Sequence, residues 1–334
     1  MLFLAHHVKE KLAVDLNFFF KEPSHVELLT CFLADYKAGS PTDPNVHWIC
    51  LTRSQIQRLF YEKHQIQLSI RFIRQIVAHL GYRYRSIKKD LATGSYARRD
   101  EQFKIIFHLI ALMTVQNPIV SLDCKKKELL GTLYRDGKVL TIGQQKSYDH
   151  DFPNLGEGKV IPHGIYDLQT NQGFITIGNS SETATFITDN LLWWWETFGI
   201  HQYPDAKFLM LLCDAGGGNS YRHHAFKKAL QALAKEIGLD IIVCHYPPYA
   251  SKWNPIEHRL FCHVHQSMSG QMFQNYETIQ KLIENTSTKT GLTVKVRINL
   301  KEYETGIKTS KSDIDEKRIQ YHKDLPKLNY RIVA

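Results

Sequence analysis

The chain has 334 residues, 43% of them hydrophobic, and a formal net charge of +9. That is enough for two or three domains at roughly 100–200 residues each and for at least one full core. No run approaches the ~18 apolar residues of a membrane span, the opening MLFLAHHVKEK is charged too early for a secretory signal, and six cysteines without CxxC spacing read as the reduced thiols of a soluble, cytoplasmic protein.

Residues 1–45 predict a partial helical segment, with an apolar helix over Val26–Tyr36 and a turn-rich break at Gly39–Asn45. Residues 46–99 predict an all-α helix-turn-helix. Thr52 is placed to cap a first helix whose Ile56, Leu59 and Phe60 share a face, HQIQL is the turn, and Ser69 is placed to cap a second helix. In that helix Ile73, Ile76, Val77 and Leu80 recur at i, i+3, i+4 and i+7, and Gly81 stands where a helix end takes a left-handed residue.

Between Leu51 and Arg99 eleven basic residues face two acidic ones, a surplus as large as that of the whole chain. A block of this kind is the footprint of a polyanion-binding module. With the apolar stripe turned inward, Arg71, Arg74, Gln75 and His79 are left where a recognition helix meets the major groove. Tyr82–Lys89 alternates aromatic and basic residues, which suits a wing strand laid on phosphates through Arg83, Arg85 and Lys88. A solvated basic hairpin is the competing reading; arginines interleaved with Phe72, Tyr82 and Tyr84 favour DNA.

Residues 100–117 predict an amphipathic linking helix, with Phe103, Ile106, Ile110 and Met113 along one side. Residues 118–270 then alternate between short apolar strands and helices. The strands are PIVSLDC, ending at Asp123, then VIPHGIYDL and GFITIG around QTNQ, KFLMLLCD ending at Asp214, and DIIVCHYPP. Helices are expected over 181–198, 221–237 and 255–268, with Trp193–Trp195 as packing residues. This is an α/β pattern, a mixed sheet flanked by helices. Residues 271–334 add a helix over Tyr276–Glu284, a strand over Leu292–Leu300 and a polar tail, a C-terminal α/β extension.

Two aspartates directly follow buried strands, where open α/β sheets present ligand groups, and Glu257 starts a helix. Each alone has an ordinary explanation: Asp214 as a turn residue, Glu257 as a solvated glutamate. Together, three converging carboxylates repel one another unless a cation sits among them. Hard oxygen donors select Mg²⁺ or Mn²⁺. Two such ions roughly 3.5–4 Å apart serve in-line displacement at phosphorus, one activating water or a 3′-hydroxyl and one stabilising the leaving oxygen. Gly216–Gly218 lets backbone or DNA come close, and no GK[ST] ending makes it a Walker loop. The histidines 223, 224, 258, 263 and 265 have no zinc-site spacing.

SLDCKKKELLG, HDFPNLGEGKVIPHGIYDL, CDAGGGNSYR, VCHYPPYASKWNPIEHRLF and STKTGL together resemble the DDE-class transposases of bacterial insertion sequences, specifically the Rhodopirellula-type transposase family, from about Asp43 to near the end. The resemblance implies an RNase-H-like catalytic core and cut-and-paste or related strand transfer at terminal inverted repeats. It implies Asp123, Asp214 and Glu257 as the catalytic and metal-binding triad, with two Mg²⁺ or Mn²⁺ ions. Ser251, Lys252, Trp253 and Asn254 match the family's lead-in and are expected to shape the site or contact DNA. Partners would be terminal-repeat and target DNA and a second copy in a synaptic complex. Ala215 and Pro255 depart from the family pattern, and Met1–Ser40 resembles a remnant or an alternative start where the family has further helix-turn-helix sequence. A nuclease of the same fold that cuts without joining, and a truncated DNA-binding relic, are the alternatives.

Overall fold

The computed structural model describes residues 23–39, 45–85, 96–214, 216–250 and 253–334. They belong to two compact units that divide after Asp90.

The first unit holds helices α1 (Pro23–Ala34), α2 (Arg53–His64) and α3 (Ile70–His79). Thr52 caps α2 in a reciprocal capping box with Gln55, and Ser69 Oγ accepts the Phe72 N–H that opens α3. Gly81 ends α3 at φ +87°. Leu29, Phe32, Ile56, Phe60, Ile73 and Ile76 form the core. The unit is not all-α as expected. β1 (Lys37–Gly39) and β2 (His47–Ile49) pair antiparallel, because the chain between α1 and α2 satisfies its backbone groups on itself. The expected wing also differs. Tyr82–Arg85 form no strand, and Arg83 Nη1 instead donates to Ala78 O at 2.6 Å, satisfying a carbonyl at the end of α3. The rest of that segment, with Lys88, lies outside the described residues.

The second unit is a nine-stranded mixed sheet between two helical layers. Its strands are β3 (Ile119–Cys124), β4 (Glu128–Leu130), β5 (Gly158–Asp167), β6 (Gln172–Gly178), β7 (Phe208–Cys213), β8 (Asp240–His245), β9 (Thr293–Asn299), β10 (Ile319–Tyr321) and β11 (Asn329–Ile332), in the order β10-β11-β8-β7-β3-β5-β6-β9 with β4 on β5. β3, β7 and β8 run parallel, and the β5–β6 hairpin is antiparallel to β3. Val120, Leu122, Leu209, Leu211 and Val243 pack on α5 (Ala184–Trp194) and α6 (His224–Ile237), with Trp194 and Trp195 in that core as expected.

On the opposite face, α4 (Arg99–Leu112) buries Ile106 against Ile119 and Met210, so the helix expected as a linker is a core element of this unit. The segment Pro255–Met268, ending in α7 (Cys262–Met268), and α8 (Tyr276–Glu284) cover β5, β6 and β9. The expected polar tail is corrected as well. β11 pairs antiparallel with β8 and β10 closes the edge, while β9 runs parallel to β6. Both ends of the C-terminal extension thus complete the same sheet. The signal was present in Ile319, Tyr330 and Ile332, which are buried, but such short strands form only against a partner.

Candidate carboxylate site

Asp123 and Asp214 are neighbours because β3 and β7 are. The parallel register pairs Leu122 with Cys213, and each aspartate follows its paired residue. Leu122 points into the α5–α6 core, so the alternation of a strand turns Ser121 and Asp123 to the opposite face. There they meet the Pro255–Met268 segment. Ser121 Oγ donates to Asn254 Oδ1 and accepts the Ile256 N–H at 3.1 Å, and Asn254 Nδ2 donates to Leu122 O at 3.0 Å. This clamp seats the segment on β3 and brings Glu257, the first residue of a π-helical turn (Glu257–Phe261), within hydrogen-bonding reach of Asp123. Gly164, which pairs with Asp123 across β5, permits the approach: a Cβ there would lie 2.6 Å from Phe261 Cε1 and 2.8 Å from Ile256 Cδ1.

Burial and the adjacent Asp214 charge push the Asp123 carboxyl up to about 8, against the Cys124 N–H, which donates to Asp123 Oδ1 at 2.7 Å. Burial also raises Asp214, which Gly216 N–H and the Asn219 amide pull the other way. Among the described residues no group of three His, Cys, Asp or Glu side chains closes tightly enough to hold an ion. The three carboxylates share one neighbourhood, close enough to act on one another's charge. The donor chemistry still fits a hard divalent cation: buried, mutually repelling carboxyl oxygens are what such an ion stabilises.

Of the other expected site residues, Trp253 is 51% exposed beside Phe103. Asn254 is fully buried in the clamp, so its expected contact with DNA is corrected to a brace within the fold. Lys252, with Ser251 and Ala215, lies outside the described residues. In the first unit Arg71, Arg74 and Arg85 are exposed, Gln75 is half-buried, and Arg83 is turned onto α3. Ser121 and Glu182 were not marked by sequence. A serine inside a strand has no local signal for an interaction 133 residues away.

His163 is a separate feature of the same strands. It is 1% exposed, neither ring nitrogen has a hydrogen-bond partner, and burial lowers it to about 3. The folded imidazole stays neutral while the unfolded one takes up a proton below about 6.5. Stability is therefore lost as pH falls through the interval between those values, by about 1.4 kcal/mol per pH unit. His163→Leu is expected to flatten the decline of the urea midpoint between pH 6 and pH 4; an unchanged slope would remove His163 as its source.

Comparison with known proteins gives one family. The profile of the Rhodopirellula transposase DDE domain matches residues 29–334. No curated protein matches the chain. Among solved structures, the Mos1 transposase paired-end complex with left transposon end is 14% identical, covers 72% of each chain and has a TM-score of 0.43. The Mos1 mariner paired end complex with Mn is 15% identical, covers 72% of this chain and 73% of its own, with a TM-score of 0.42. Likeness at that level decides nothing about this chain.

Proposed function

The chain belongs to the Rhodopirellula transposase DDE-domain family, and from that premise we propose that it binds the terminal inverted repeats of its element and catalyses metal-dependent DNA cleavage and strand transfer. In this reading the mixed sheet is an RNase-H-like core, Asp123, Asp214 and Glu257 hold Mg²⁺ or Mn²⁺, and α2–α3 act as a DNA-binding helix-turn-helix. The single observation that supports it is that Asp123, Asp214 and Glu257, separated by 91 and 43 positions, lie near enough to act on one another's charge.

When bound, the ions supply a Lewis acid at the scissile phosphate and lower the pKa of the attacking hydroxyl. The residues do the rest. Asp123 and Asp214 present oxygens from adjacent strand ends, and Glu257 closes the third side from its π-turn. The Ser121–Asn254 clamp keeps that turn against β3. In the first unit, Arg71 and Arg74 on the exposed face of α3 meet the DNA, and Arg85 meets a phosphate. Two transposon ends have to be joined to one target, so two copies act together.

The test incubates the full chain and Mg²⁺ with the inverted repeats that flank its own gene and a supercoiled target plasmid. End cleavage followed by covalently joined ends and target is expected. Cleavage without joining would make it a nuclease, and repeat binding with neither product would make it a binding relic.

A further inference from the structure

We propose that Glu182 is a positioning residue for the carboxylate site: it holds the Gly216–Asn219 turn, and with it Asp214, in register with the end of β3. This rests on the reading of Asp123, Asp214 and Glu257 as the reactive site.

Glu182 lies between β6 and α5, just before Thr183, whose side chain caps α5 by accepting the Phe186 N–H. Its Oε1 accepts the Gly218 N–H at 3.2 Å. The Cys124 side chain lies near the same carboxylate, and the Cys124 N–H donates to Asp123 Oδ1. One side chain thus bonds the turn after the second aspartate and stands beside the residue after the first. That turn grips Asp214 in its own right, through the Gly216 N–H and the side chain of Asn219, itself 2% exposed.

The fit is close enough to account for the glycines. Gly217 has φ +61°, and a Cβ there would lie 2.4 Å from Glu182 Oε1; a Cβ at Gly218 would lie 2.8 Å from the Glu182 carbonyl oxygen. The acid itself is informative. Its charge adds to the repulsion on Asp214, a cost that a site built for stability alone would avoid. A carboxylate accepts only, so it takes the Gly218 N–H without a competing donor of its own. Glutamine keeps an oxygen for Gly218, and alanine keeps none.

The experiment compares wild type, Glu182→Ala and Glu182→Gln as full chains. The metal-free melting temperature and circular dichroism report folding. The Mn²⁺ concentration that half-saturates the rise in melting temperature, without DNA, reports the site. The end-cleavage rate at saturating Mn²⁺ reports chemistry. Glu182→Ala is expected to fold, to need roughly 10–100 times more Mn²⁺ and to cleave at least about tenfold more slowly, with Glu182→Gln recovering to within about threefold of wild type. An unchanged Mn²⁺ response in Glu182→Ala, with wild type responding, overturns the positioning role alone. Equal impairment of Glu182→Gln overturns it too, by assigning the effect to charge. If wild type itself gains no stability from Mn²⁺, the proposed metal site fails and the inference falls with it.

Discussion

Asp123→Asn is expected to abolish end cleavage and, in the same protein, to raise the melting temperature of the metal-free chain. The amide is nearly the same shape and keeps an oxygen for the Cys124 N–H, which donates at 2.7 Å. Burial and repulsion from Asp214 and Glu257 push the carboxyl up to about 8, so at neutral pH the folded chain holds Asp123 largely protonated, at a cost that the neutral amide does not carry. Relief of that burden should add about 2 kcal/mol at neutral pH in chelator, or roughly 4–8 °C in a unit of this size. The same change removes a charged ligand, and several kcal/mol of metal-derived transition-state stabilisation corresponds to a rate loss on the order of a thousandfold or more. The two readouts move in opposite directions, which separates a functional carboxylate from a structural one. A variant that cleaves at the normal rate with Mg²⁺ would end the assignment. A variant that is inactive and also melts lower would make Asp123 a structural residue.

The second large effect is expected on DNA. Arg71→Ala with Arg74→Ala should weaken binding to repeat DNA by about tenfold or more and reduce the magnitude of the salt slope by nearly two, at roughly 0.9 per phosphate neutralised. Both arginines stand on the exposed face of α3, away from the buried Phe72, Ile73 and Ile76, so the double variant should melt at the wild-type temperature. Shift assays at several salt concentrations read the slope directly. Unchanged affinity and slope would remove α3 as the recognition helix. Arg83→Ala should act differently, because its guanidinium bonds Ala78 O. A loss of stability in that variant, with the salt slope intact, is the expected contrast.

Much of the fold was legible along the chain. Thr52, Ser69 and Gly81 sit at helix ends for reasons contained within three or four residues of each, and the structure has all three in those roles. The apolar runs that become β3 and β7 were readable, as was the placing of an aspartate at the end of each. The tail was not. Tyr330 and Ile332 are buried only because β11 lies along β8, almost ninety residues earlier. The wing was not legible for the converse reason: among its described residues, Tyr82–Arg85 form no strand and Arg83 bonds the nearby Ala78 carbonyl.

By itself the sequence determined the local structure, the basic first unit and which acidic residues were candidates, since propensity, capping and net charge depend on residues close in the chain. Only the tertiary structure decided that Asp123 and Asp214 stand on adjacent parallel strands, that Ser121 and Asn254 dock Glu257 beside them, and that Glu182 accepts the Gly218 N–H in the turn after Asp214. Such pairings are selected by burial summed over the whole sheet, and no short stretch of sequence carries that sum.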